Sequence, residues 1–288
     1  MKHHFADLLD RNSDYWSMVP NAQRFAYTLD KNDLEPESIK IITIGKGDKN
    51  WRRIFEFPNL EELTLHTPGK EQLASLGELS WLKRLRISHA RPADIEFIAA
   101  LINLEEVVFE YVSGFSDLSP ISRLPKLKSL HLENLRRVRT YDGLKGLSNL
   151  HYLFIGGTVD WKQPIENFSF LEGLPELEVI RLQFVKSDAG FPMFVPLLGL
   201  KKLKEIGIGR ATFPTREYAF LESAFPHVAG ASWDSCWEYY GWLEFLGKGA
   251  GRVKCNSPHA DEKREGFRRS YEEMKKEAEG LIKKLRQR

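Results

Sequence analysis

Ser88, His131 and Glu133 are the residue types that supply a nucleophile, a general base and an orienting carboxylate, and Glu110 offers the histidine a second carboxylate. Meeting in a closed pocket, they would support nucleophilic catalysis. On an open face, where nothing excludes water or builds an oxyanion hole, they would only make local hydrogen bonds and ion pairs. Other chemistry-bearing residues are sparser. His3 and His4 are adjacent but lack a third histidine or a carboxylate at ligand spacing, so no metal site is expected. Cys236 and Cys255 are too few to close a zinc site and read as free thiols. The stretch GKGAGR, Gly247 to Arg252, has the composition of a phosphate loop but neither the G-x-x-x-x-G-K-[ST] spacing nor a place between a core strand and a helix.

Which of these side chains can meet depends on the elements that carry them. The pattern L-x-x-L-x-L recurs as Leu60, Leu63, Leu65; Leu82, Leu85, Ile87; Leu104, Val107, Phe109; Leu127, Leu130, Leu132; and Leu150, Leu153, Ile155. The first residues of these units stand 22, 22, 23 and 23 residues apart. Ile39, Ile42, Ile44 precede the series; Leu177, Ile180, Leu182 and Leu203, Ile206, Ile208 extend it, and Val228, Ala231, Trp233 end it in degenerate form. Self-similarity at this period marks a solenoid, whose units bury their apolar faces only by stacking on one another. Between the strands, apolar residues recur every third position, as in Ile95, Ile98, Leu101 and Leu118, Ile121, Leu124. That period suits short 3₁₀ or extended return segments better than α-helices.

The pattern resembles the leucine-rich repeat family, in the short 22-residue class shared by internalins and a phosphatase-regulator subgroup, from Ile39 to about Trp233. The resemblance implies an α/β solenoid with a curved parallel sheet on the concave face, 3₁₀ or extended returns on the convex face, and a cap at each end. The expected division is an N-terminal cap over 1–38, the solenoid over 39–233, and an aromatic C-terminal cap with an amphipathic basic helix over 234–288. The family's asparagine three residues past the strand is replaced by Pro68, Ala90, Val112, Leu135, Thr158, Val185 and Ala211. The turns must therefore satisfy their buried backbone groups in some other way.

Composition narrows the function. Of 288 residues 42% are hydrophobic and 12% aromatic, enough for a large core, while a net charge of +2 argues against a dedicated nucleic-acid binder. No apolar run reaches the ~18 residues of a membrane-spanning helix, and the first residues lack a signal peptide's apolar stretch. A bacterial, cytoplasmic monomer is expected, with no cofactor. From Arg252 to Arg288 twelve Lys and Arg face seven Asp and Glu, so this tail carries +5 and the remainder −3. That asymmetry suits either an anionic partner or a solvated helix surface. The tail's apolar stripe, Phe267, Tyr271, Met274, Ala278, Leu281 and Leu285, reads as one helix whose first half packs on the cap and whose end, Lys283 to Arg288, protrudes.

Strand alternation puts the residues beside the core leucines on the concave face. The expected partner-binding set is Arg84, Arg86, Glu110, His131, Tyr152, Phe154 and Arg181 on the strands, Tyr111 and Phe184 just past them, and Trp161 in an enlarged loop. Two loops exceed the repeat length, Gly156 to Phe168 and Val185 to Phe194, and enlarged loops on a scaffold commonly carry function. Tyr152, Phe154 and Phe184 form the expected apolar centre and the arginines its flanks, the residue types found at interface hot spots. The expected function is non-enzymatic recognition of a partner protein through the concave face. An inhibitor or immunity-type protein that blocks one enzyme is the alternative, and an enzyme using His131 and its carboxylates the third reading.

Overall fold

The computed structural model describes residues 10–12, 15–17, 29 and 35–287. Most of the N-terminal cap expected over 1–38 lies outside them; the described part includes an antiparallel backbone pairing of Asp10–Asn12 with Tyr15–Ser17.

The repeated pattern forms one eight-stranded parallel sheet with its strands in chain order. They are β1 (Ile41–Gly45), β2 (Glu62–His66), β3 (Arg84–Ser88), β4 (Glu106–Glu110), β5 (Ser129–Glu133), β6 (Tyr152–Gly156), β7 (Val179–Gln183) and β8 (Glu205–Ile208). The register superposes equivalent repeat positions: Leu85 pairs with Val107, Val107 with Leu130, Leu130 with Leu153 and Leu153 with Ile180. Every member of this column, and of the column two residues on, is buried. The three-residue period between strands produces 3₁₀ segments, among them Glu96–Ala100, Ser119–Arg123, Ser169–Gly173 and Val195–Gly199. The leucine opening each repeat donates its N–H to the carbonyl three residues back, as in Leu104 to Leu101 at 3.0 Å and Leu177 to Leu174 at 3.1 Å.

The turns replace the missing asparagines in two ways. Gln163, fully buried in the first enlarged loop, accepts the Leu135 N–H at 2.9 Å and donates to the carbonyls of Leu135 and Val138 at 3.2 and 2.9 Å. Gln72 likewise donates to the Gly45 carbonyl at 2.8 Å and accepts the Gly69 N–H at 2.7 Å. On the opposite edge Asn59, Asn103 and Asn149, one residue before the repeat's first leucine, donate to carbonyls of the preceding repeat at 2.7 to 2.9 Å.

Past β8 the repeat breaks down. The residues Val228 to Trp233, expected as a ninth strand, form only an isolated parallel bridge between Glu205 and Ala229. Helix α1 (Thr215–Ala224) intervenes, and its apolar residues Tyr218, Phe220 and Leu221 are buried. The aromatic stretch that follows forms an antiparallel sheet of β9 (Cys236–Tyr239), β10 (Trp242–Phe245) and β11 (Arg252–Lys254). Its aromatic residues are not all packed, because β9 lies at the sheet edge and leaves Trp237, Tyr239 and Tyr240 45, 49 and 86% exposed. Helix α2 (Ala260–Arg286) packs on α1, burying Tyr271, Ala278 and Ile282, and its first half also touches β9 and β10 as expected. Tyr271 donates to Glu222 at 2.7 Å, Lys275 meets the same carboxylate at 2.8 Å, and Phe267 stacks on Phe245 at 4.8 Å. The basic end protrudes less than expected: Lys283 and Lys284 are exposed, but Arg286 reaches back to the Ala224 carbonyl at 3.4 Å. No helix among the described residues is long and apolar enough to cross a membrane.

Candidate protein-interaction surface

The sheet register separates the residues a catalytic triad would need. Ser88 lies in one cross-strand row with Glu110 and Glu133, whereas His131 lies in the next row, beside Val108, and two strands from Ser88. At a strand spacing of about 4.8 Å that separation rules out a direct contact. Ser88 instead pairs with His66 Nδ1 at 2.8 Å, and Glu110 receives the Arg86 Nε–H at 2.8 Å. His131 Nε2 is 3.4 Å from Glu133. Glu110, His131 and Glu133 do bring three potential metal-ligand atoms within 4.8 Å of one another. The Arg86 guanidinium already supplies the positive charge at Glu110 that a cation would bring.

The arginines expected as charged flanks are tied into pairs across the strands. Arg84 lies between Glu62, at 3.4 Å, and Glu106, at 3.2 Å; Arg181 meets Glu205 at 2.7 Å. Burial acts to lower the Arg84 pKa, but Glu106 and Glu62 outweigh it and leave the value raised. Glu205 is pushed up by its own burial.

Two members of the apolar centre expected on this face, Tyr152 and Phe154, are not exposed. His131 and Tyr152 are fully buried, Phe154 is 3% exposed, and Ser129, Val108 and Val179 are closed off as well. Concave curvature turns the outward side chains of neighbouring strands toward one another, and large ones close over their neighbours. His131 and Phe154 stack face to face at 4.0 Å. Glycines make the room: a Cβ at Gly156 would fall 2.5 Å from the Phe154 ring, and one at Gly207 2.9 Å from the Arg181 side chain. Burial pushes the Tyr152 hydroxyl up to about 12, and among the described residues that hydroxyl has no hydrogen-bond partner.

What stays exposed lies one residue further on, at the C-terminal rim of the sheet. Thr67, His89, Tyr111, Asn134 and Phe184 follow β2, β3, β4, β5 and β7, and all five have left-handed backbones with φ between 49° and 57°. A non-glycine residue there costs roughly 1 to 2 kcal/mol. The sheet offsets this by extending its ladder one position: the N–H groups of Thr67, His89, Tyr111 and Asn134 donate to the last carbonyl of the next strand at 2.8 to 3.0 Å. The turn projects the side chains of Thr67, His89, Tyr111 and Phe184 outward, while that of Asn134 stays buried. Tyr111 is 41% and Phe184 45% exposed. Tyr111 stacks on His89 at 4.8 Å, and His89 meets His66 edge-on at 5.2 Å.

This column of identical turns repeats the stacked strand register at the rim. The chain folds as a leucine-rich repeat solenoid. No protein-family model matches the sequence, and no curated protein matches it. Solved structures with a similar fold include an internalin from Listeria monocytogenes, 22% identical with a TM-score of 0.47 over 58% of this chain and 47% of that one. Internalin C2 from the same organism is 22% identical with a TM-score of 0.42, over 59% of this chain and 68% of that one. A leucine-rich repeat protein of Leptospira interrogans is 15% identical with a TM-score of 0.36, over 63% of this chain and 58% of that one. The solenoid here thus spans about half the length of the first of these.

Trp161, on the first enlarged loop, is half-buried beneath its own turn, where its N–H donates to the Thr158 carbonyl and Arg136 approaches its ring at 5.9 Å. Gly157 fixes that loop: a Cβ there would lie 2.3 Å from the Trp161 carbonyl oxygen. Phe191, on the second, packs edge-on against Phe220 and under Arg216. The rim residues Arg91 and Arg136 escaped sequence reasoning, because the repeat pattern fixes which side of a strand a residue faces but says little about the turn beyond it.

Proposed function

We propose that the protein is a non-enzymatic module that binds a partner protein across the rim of its concave sheet. Tyr111 and Phe184 carry the reading. Each is a large aromatic side chain held on a left-handed backbone and left substantially in solvent. Exposed aromatics beside arginines are enriched where interfaces concentrate their energy. The non-enzymatic part is supported by the pairing of Ser88 with His66 and of Glu110 with Arg86, which commits a nucleophile type and a carboxylate to structural partners. Arg84, Arg86, Glu110 and Arg181 then act as a rigid charged background, while Phe154, Tyr152 and His131 shape the face from beneath.

The test is capture of a partner from the native cell by wild type and by the double variant Tyr111→Ala and Phe184→Ala. Both sites are exposed, so melting should stay within about 1 kcal/mol of wild type, while capture should fall by at least roughly tenfold. Full retention of the partner by the double variant would sink this reading. A single tightly held enzyme whose turnover stops on binding would favour the alternative of an inhibitor or immunity-type protein.

A further inference from the structure

The cations of the repeats differ by position. On the sheet and its N-terminal edge most meet a glutamate of the neighbouring repeat: Lys83 with Glu61, Arg84 with Glu62 and Glu106, Arg86 with Glu110, Lys128 with Glu105, Arg181 with Glu205 and Lys204 with Glu178. At the C-terminal rim Lys70, Arg91, Arg136 and Arg137 form no ion pair among the described residues. Their non-ionic contacts are few: Arg137 donates to the Gly114 carbonyl at 3.1 Å, and Arg136 lies over Trp161. Two adjoining hollows hold all four. The first, about 320 Å³, is lined by His89, Arg91, Tyr111, Ser113, Asn134 and Arg136. The second, about 400 Å³, shares Arg91 and Ser113 with it and adds Lys70 and Arg137. No carboxylate lines either hollow. Asn134 is 4% exposed, and its Oδ1 has no partner among the described residues.

We propose that this trough is a docking site for an extended acidic peptide segment of the partner protein. The proposal rests on the interaction reading above and names the chemistry of the partner. Arg91 follows β3 and Arg136 follows β5, so they stand about two strand spacings, or roughly 10 Å, apart along the rim. Carboxylates three residues apart on an extended chain of polyproline II form, which has three residues per turn and rises about 3.1 Å per residue, lie on one side with that reach. Each guanidinium offers a planar fork of donors to a carboxylate. The Tyr111 and His89 rings form a flat wall for the apolar residues between the acids. A polyphosphate backbone fits less well, because Glu110 and Glu133 end β4 and β5 immediately beside the trough and would repel its unbroken negative charge. A peptide can place a neutral residue there.

The experiment is fluorescence anisotropy on the full chain with three labelled probes: an Asp/Glu-rich decapeptide, its Asn/Gln counterpart, and a single-stranded oligodeoxythymidine of equal charge. The acidic peptide should bind, the amide peptide should not, and binding should weaken as added salt shortens the screening length. The variant Arg91→Glu with Arg136→Glu breaks no ion pair, so it should fold as wild type does and weaken the peptide by at least roughly tenfold, about 1.4 kcal/mol. Arg269→Glu with Lys276→Glu, two charge reversals on exposed α2 surface, controls for net charge and should leave binding unchanged. Equal affinity of wild type and the Arg91/Arg136 variant, an equal loss in the Arg269/Lys276 variant, or tighter binding of the oligonucleotide would each overturn the proposal. Loss of partner capture in the Tyr111/Phe184 variant without any acidic-peptide binding would leave the interaction reading standing and reject this one alone.

Discussion

Glu217, buried near the start of α1, takes the Met193 N–H between its two carboxylate oxygens at 3.3 Å each. Burial pushes its pKa up from the ordinary 4.5 to about 7, while the Met193 N–H and Arg216 pull it back. The folded protein therefore keeps a proton that the unfolded chain releases. Its stabilising contribution is complete below 4.5 and is lost as the pH rises toward 7. Glu217→Gln keeps an acceptor for Met193 without the charge. It should be more stable than wild type at about pH 8, by up to about 3 kcal/mol, and lose that advantage at about pH 4. Paired thermal melts across that range decide it; parallel profiles for the two proteins would show that Glu217 is solvated enough to ionise freely. Nothing in the sequence marks this residue, because its proton affinity is set by the packing of α1 against the Met193 loop.

At the scale of the element, the strands and their 3₁₀ returns were legible because leucines at fixed offsets are set by stacking alone. The concave face was legible in direction and wrong in exposure. Alternation identifies His131, Tyr152 and Phe154 as facing away from the core, but curvature and the vacant positions at Gly156 and Gly207 let these side chains and Arg181 close over one another. The turns were the least legible part, since the residues that satisfy them come from other repeats. Gln163 lies 28 residues from Leu135 in sequence and serves its turn with three hydrogen bonds. Gln163→Ala should cost about 1 to 3 kcal/mol by leaving buried N–H and C=O groups unmet. Urea unfolding measures it, and a loss under about 0.5 kcal/mol would mean that water takes the glutamine's place.

At the scale of the molecule, the solenoid is closed at its C-terminal end by α1 and α2, and the two helices depend on each other. Glu222 of α1 holds both Tyr271 and Lys275 of α2, and removing α2 would strip that carboxylate of its partners and uncover the apolar side of α1. Ending the chain before Ala260 should therefore lower the melting temperature by several degrees, on the order of 2 to 8 °C, and cause self-association in light scattering. A truncated chain that stays monodisperse and melts as before would identify α2 as an accessory docking element. The ion pairs that cross from repeat to repeat carry a further consequence, for the ancestry of the chain. Stacked units of similar design look like exchangeable parts, yet excising the unit that carries Arg84 would bring Glu62 against Glu106, and excising the one that carries Arg181 would leave Glu205 beside Tyr152. Each unit has become specific to its neighbours. Duplication can have built such an array, but further gain or loss of a single unit is now opposed by the charges that its descendants acquired.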